Sequence, residues 1–151
     1  MTHTVSFDAL PELAGTDLGT TEWMDITQPR IDTFADATDD HQWIHCDPAK
    51  AADGPFGATI AHGYLTLSLV IPLFERILEV TGVRTKLNYG LNTVRFPAPV
   101  PVGSKVRLRA RIVQVEPVGG GGVQLTWEAK VEVEGSEKPA CVAQPVFRFY
   151  P

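Results

Sequence analysis

The spacing of apolar residues changes period part-way along this chain, dividing it into a helical first half and a stranded second half. From Ile60 to Phe74 no residue carries a formal charge until Glu75 and Arg76, and apolar side chains cover every face of a helix. A helix that is apolar all round is a buried one. Taken from about Ala61 to Val80, it would be roughly 30 Å long at 1.5 Å per residue. It is too short before its charges to cross a bilayer, which takes about 20 apolar residues. Pro72 removes one backbone donor and frees the carbonyl of Ser68, which predicts a kink, and Gly82 is the expected C-terminal cap.

Upstream of this helix, Thr20 to Ile26 reads as a short strand, preceded by a turn of helix and a loop. Thr27 then caps a helix with Pro29 in its first turn, Ile31, Phe34 and Ala35 on one face, and an end near Ala37. A polar loop from Asp39 to Asp47 follows, then a short helix over Pro48 to Ala52. Downstream the period drops to two. Val83 to Phe96 holds a strand or two, before Pro97, Pro99 and Pro101. Lys105 to Arg111 alternates strictly, with Val106, Leu108, Ala110 and Ile112 facing in, and Val123 to Val133 repeats the alternation. The glycine run Gly119 to Gly122 joins the two as a hairpin of open register, and a last strand runs from about Cys141 to Tyr150. One buried helix followed by half-exposed strands means an α+β fold with an antiparallel sheet curled over the helix.

Charge modifies this picture little. Lys105, Arg107, Arg109 and Arg111 form a basic row, but Glu128, Glu132 and Glu134 lie on the same face of the neighbouring strand. Cross-strand ion pairs account for the row without a polyanionic ligand. A net charge of -5 argues against nucleic acid as a partner. The 151 residues fit one domain spanning 1–151, and 44% hydrophobic content is that of a globular protein with no membrane segment. No signal peptide opens the chain, and Cys46 and Cys141 fit no metal or redox spacing, so a cytoplasmic location is expected.

Ionisable groups concentrate in the loop Asp39-Asp40-His41-Gln42-Trp43-Ile44-His45-Cys46-Asp47. A metal could take His41, His45 and Cys46 or Asp47, although the helical zinc-protease spacing is absent. Cys46 with His45 could form a nucleophilic pair, but adjacent residues in extended chain point opposite ways. Asp40 and His45 could hold one water between them, one taking a proton from it and the other giving a proton to substrate. A turn in which the Asp residues cap helices and the His is merely packed is the fourth reading.

The run Phe34 to Pro48, with its Asp40-His41-Gln42-Trp43-Ile44-His45 core, joined to Gly57 to Leu67 with its Ala61-His62-Gly63, resembles the MaoC-like dehydratases. These include the (R)-specific enoyl-CoA hydratases, and the wording is nearest the nodulation-protein-N-like branch. Asn88 to Gly103 resembles the family's next segment, so the likeness covers most of the chain from about Thr20. The resemblance implies the hot-dog fold, a catalytic water held by Asp40 and His45, and a thioester oxygen received by the backbone N–H of Gly63. It also implies a homodimer with its two sheets joined edge to edge and the sites near the interface, with acyl-CoA as substrate partner and no metal or organic cofactor beyond the CoA carried by the substrate. Arg95 and Lys86 are candidates for the CoA phosphates. Two departures stand out: Asp39 replaces a usual Gly and Gln42-Trp43 replaces Asn-Pro, while the offset at which some hydratases carry a helix Ser falls here on Ile71, leaving Ser68 one turn earlier. His62 is expected to be structural and Trp43 a packing residue.

The expected activity is hydration of trans-2-enoyl-CoA to (R)-3-hydroxyacyl-CoA. Thioester hydrolysis and a non-catalytic acyl-CoA-binding module are the alternatives.

Overall fold

The computed structural model describes residues 1–151. Eight strands and four α-helices follow one another, with a short 3-10 helix at Phe7–Leu13. The strands are β1 (His3–Ser6), β2 (Asp17–Thr20), β3 (Met24–Asp25), β4 (Leu78–Thr81), β5 (Thr85–Arg95), β6 (Lys105–Val118), β7 (Gly122–Val133) and β8 (Cys141–Tyr150). The helices are α1 (Gln28–Thr38), α2 (Trp43–Cys46), α3 (Pro48–Ala52) and α4 (Gly63–Ile77).

The main sheet is antiparallel in the order β2-β6-β7-β8-β5, with β3 pairing beside β2 on β6. Its strict alternation places Val106, Leu108, Ala110 and Ile112 of β6, and Leu125, Trp127, Ala129 and Val131 of β7, in the interior. These meet Leu65, Leu69, Val70, Leu73, Phe74 and Ile77 of α4 in one buried cluster, so helix and sheet share a single core. At its centre Phe74 stacks on Trp127 at 4.1 Å while Phe147 meets both rings edge-on. This is the hot-dog arrangement, a sheet curled over one long helix.

The outer face of the sheet self-pairs. Arg107 bonds Glu132 at 2.7 Å and Arg111 lies 3.7 Å from Glu128, as the cross-strand pattern predicts. Arg109 instead bonds Asp17 of β2 at 2.7 Å, because its own cross-strand neighbour on β7 is Lys130. No helix is long and apolar enough to cross a membrane.

Several sequence expectations are corrected. The central helix runs Gly63–Ile77 rather than to Val80, since Leu78–Thr81 turns into β4 and pairs parallel with β1. Gly82 therefore closes a turn after a strand, at φ 75°, and does not cap the helix. The strand expected over Thr20 to Ile26 is two short strands split by Thr21, whose hydroxyl accepts the Leu108 N–H while its own N–H bonds the Leu108 carbonyl. The loop after α1 contains a helical turn, α2. Nor is α4 covered on all sides: Tyr64 is 70% exposed and Ile71 is open too, beside exposed Leu87, Tyr89 and Leu91 of the edge strand β5.

Candidate active site

Three elements carry the site, and each is set by local chemistry. The hydroxyl of Thr27 accepts the Arg30 N–H, with Pro29 in the first turn, and so starts α1 as expected. The helix ends at Asp39, which adopts the left-handed conformation at φ 59° and ψ 20°. That is the position where the family pattern carries Gly; Asp tolerates this conformation better than most residues. The chain turns sharply there and presents Asp40. Asp47 caps α3 through the Lys50 N–H at 3.0 Å, which fixes the far end of the His45 turn.

His45 is buried, and its Nδ1 lies 2.7 Å from the carbonyl of Ile60. A carbonyl only accepts, so Nδ1 carries the proton and Nε2 of the neutral ring keeps a free lone pair. Burial lowers the pKa of His45 below its ordinary value and the adjacent His62 ring acts in the same sense, against the opposing pull of the Ile60 bond and Asp40. A carboxylate oxygen of Asp40 and ring nitrogens of His45 and His62 lie within 4.8 Å of one another. That separation is within the reach of a single bridging water, at about 2.7–3.2 Å per hydrogen bond.

The third element is the start of α4. Its N-cap is His62, whose side chain makes no capping bond, so the first-turn N–H groups are left without a capping side chain. Gly63 and His45 line the same cavity of about 300 Å³, with Phe56, Thr66, Phe96 and Val100 among its walls. The glycine has a packing reason beyond close approach of a ligand: a Cβ there would sit 3.3 Å from the Phe96 ring.

The other candidates fall outside this cluster. His41 is exposed and pairs with Asp36 at 2.8 Å, which raises its pKa, and Asp47 is spent on its cap. The set His41, His45, Cys46 and Asp47 is thus not gathered around a metal; the grouping with donor atoms close enough to consider is Asp40, His45 and His62. Two of its four ring nitrogens already donate to backbone carbonyls. Burial, then Asp32, Asp36 and Asp40, raise the pKa of Cys46, which disfavours a thiolate nucleophile. Ser68 turns its hydroxyl back on the Tyr64 carbonyl at 2.6 Å. Trp43 packs on Gly54 and beneath Lys50, as a packing residue should. Arg95 is exposed and adjoins Phe96, whereas Lys86 lies near Glu75 at 3.8 Å and lines a second cavity of about 260 Å³ under Ile71 and Phe74.

Gln28 carries no signal in the sequence, yet its amide donates to the His45 carbonyl at 2.8 Å and accepts from the Thr59 hydroxyl. His62, expected to be structural, is the N-cap of α4 and stacks its ring on that of His45.

A family model described as the MaoC like domain matches residues 10–133. The chain belongs to the MaoC-like family. Among curated MaoC-like relatives, a 3-hydroxyacyl-thioester dehydratase Z of Mycobacterium tuberculosis is 54% identical over 147 residues, covering 95% of this chain and 97% of its own. Nodulation protein N of Rhizobium leguminosarum bv. viciae is 43% identical over 143 residues, covering 93% and 89%. Both support the branch inferred from the loop wording and a dehydratase of the MaoC-like kind. Among solved structures, an (R)-hydratase from A. caviae involved in PHA biosynthesis superposes with a TM-score of 0.73 at 23% identity, covering 89% of this chain and 94% of that one. At that identity the likeness establishes the shared hot-dog fold.

Proposed function

We propose that this MaoC-like protein is a hydro-lyase that adds water across a trans-2-enoyl-CoA to give an (R)-3-hydroxyacyl-CoA. The observation that carries the reading is the free Nε2 of a buried, neutral His45, placed beside the Asp40 carboxylate and in one cavity with a helix N-terminus. Nε2 takes a proton as the water oxygen bonds to C3, while Asp40 orients that water. Negative charge moves to the thioester oxygen, where the Gly63 N–H and the positive end of α4 stabilise the enolate. Proton return from the dyad to C2 completes the addition of one water. The names of the dehydratase relatives support the thioester class, and none of these steps requires a metal or an organic cofactor beyond the substrate's CoA.

Arg95 and Lys86 are the proposed contacts for the CoA phosphates, with Arg95 the better placed because it adjoins Phe96 of the cavity wall. The protein works as a homodimer. Supporting this are an edge strand, β5, that exposes Leu87, Tyr89 and Leu91, and the bare stripe of α4 at Tyr64 and Ile71. A monomeric mass by light scattering at micromolar concentration would count against that assembly.

Crotonyl-CoA hydration, followed by loss of the enoyl thioester absorbance, tests the activity. Asp40→Asn and His45→Gln should each lower the rate by about 10²–10⁴. Release of free CoA thiol instead would identify a thioesterase, and binding without turnover a non-catalytic module.

A further inference from the structure

We infer that His62 is the positioning residue of the Asp40–His45 pair, tying the backbone of one to the ring face of the other. The inference rests on the hydration reading and goes beyond a structural role at the helix start. His62 is 2% exposed. Its Nε2–H donates to the backbone carbonyl of Asp40 at 2.9 Å, and its ring stacks on that of His45 with centroids 3.9 Å apart and planes 24° from parallel. Phe34 of α1 closes on the same ring at 4.9 Å. No backbone–backbone hydrogen bond engages Asp40, which follows the left-handed turn at Asp39 and leaves its side chain half-exposed. The bond from His62 is therefore what anchors the carboxylate's own backbone.

The choice of residue argues for this role. A phenylalanine in the same place would fill the volume, stack on His45 and leave nothing polar behind. Histidine instead leaves Nδ1 buried with no partner, a destabilising feature in a core. What it supplies and phenylalanine lacks is the N–H aimed at Asp40. The stack on His45 restrains the other member of the pair in rotation, so one side chain sets the spacing of both. The titratable groups facing the two rings are Asp40, whose Oδ2 lies 3.9 Å from His62 Nε2, and each ring to the other.

Three variants separate the parts. His62→Phe keeps the stack and removes the donor; His62→Gln keeps a donor in the Nε2 position and removes the ring; Asp40→Asn reports the dyad itself. With crotonyl-CoA, His62→Phe should lower kcat by on the order of 10- to 100-fold with KM within about twofold, and His62→Gln should recover most of that loss. Histidine-resolved NMR titration gives a readout independent of turnover: the pKa of His45 should rise in His62→Phe, where the lowering influence of the neighbouring imidazole on His45 is removed. Wild-type kcat and an unmoved His45 titration in His62→Phe overturn the inference. If His62→Phe does not fold, a His62→Gln variant with kcat as low as that of Asp40→Asn overturns it equally. A wild-type protein that hydrates nothing refutes the hydration reading alone, and the His45 titration then decides the role of His62.

Discussion

Gln28 offers the sharpest test of how this site is held, because a single amide joins three elements. Its Nε2 donates to the carbonyl of His45 at 2.8 Å and to Asp32 at 2.9 Å, while its Oε1 accepts from the hydroxyl of Thr59. The Asp32 contact is exposed and, as an i,i+4 pair, is worth only about 0.2–0.5 kcal/mol. The others matter more: Thr59 is 1% exposed, and the His45 carbonyl belongs to the turn that carries the buried His45 ring. In Gln28→Ala both lose their partner, and each orphaned buried group costs about 1–3 kcal/mol. The expected loss is therefore about 2–6 kcal/mol, a large part of the roughly 5–15 kcal/mol of a typical domain. Urea unfolding monitored by tryptophan fluorescence measures it. Gln28→Glu, nearly identical in shape, keeps an acceptor for Thr59 but sets a carboxylate against the His45 carbonyl, so it should impair hydration more than its volume suggests. Thr59→Val removes the buried hydroxyl itself, and the double variant with Gln28→Ala should show a coupling of about 0.5–3 kcal/mol. A Gln28→Ala loss below about 0.5 kcal/mol, or zero coupling, would refute the idea that this network holds the site.

Other consequences follow from individual residues. His45 has its folded pKa below the ordinary value of about 6.5, so the acid limb of the hydration rate should lie below that value. Between the two values the unfolded chain binds the extra proton, so this group's stability contribution falls as pH drops through that window; exposed His41, raised by Asp36, has the opposite sign and is removed by comparison with His41→Asn. Asp39→Gly relieves a left-handed non-glycine residue and should raise the melting temperature by a few degrees, about 1 kcal/mol, as read by calorimetry. Burial pushes Cys141 up to about 11, so native protein at pH 8 should leave it unmodified by iodoacetamide, with mass mapping finding any label on Cys46. Dialysis against a chelator should leave the hydration rate unchanged, and recovery on adding back a divalent metal would contradict the cofactor-free reading.

Most of the architecture was legible because its causes are local and periodic. The alternation of β6 named its buried residues one by one, that of β7 did so except at Val123, which is half-buried, and Thr126, which is buried off the pattern, and Thr27 with Pro29 marked the start of α1. The end of α4 was not legible. Leu78 and Val80 satisfy a helical stripe and a strand alternation equally well, and what decides for strand is pairing with His3–Ser6, about 75 residues away. The buried face of α4 was likewise overstated, since apolar composition does not say whether a neighbouring surface belongs to the same chain. At the site, residue types left several readings of the loop open and the family resemblance singled out Asp40 and His45, while the tautomer of His45 depends on a carbonyl fifteen residues downstream, which spacing alone does not reveal.

Both buried histidines of the site commit one ring nitrogen to a backbone carbonyl, and the difference in which nitrogen divides their labour. His45 commits Nδ1 to Ile60 and leaves Nε2, the atom at the end of its ring, unengaged. His62 commits Nε2 to Asp40 and keeps Nδ1, the atom nearest its own backbone, which is walled in and meets no partner. Stacked 3.9 Å apart, the two rings are thus not interchangeable: one leaves its outer nitrogen unengaged and the other spends that nitrogen on the backbone of Asp40. The acceptors are main-chain carbonyls, which cannot be lost by side-chain substitution, so the tautomers are set by the path of the backbone. That path depends on the turn at Asp39 and the bridge from Gln28 to Thr59. Substitutions there, outside the cavity, should therefore alter the rate by shifting carbonyls rather than by touching substrate.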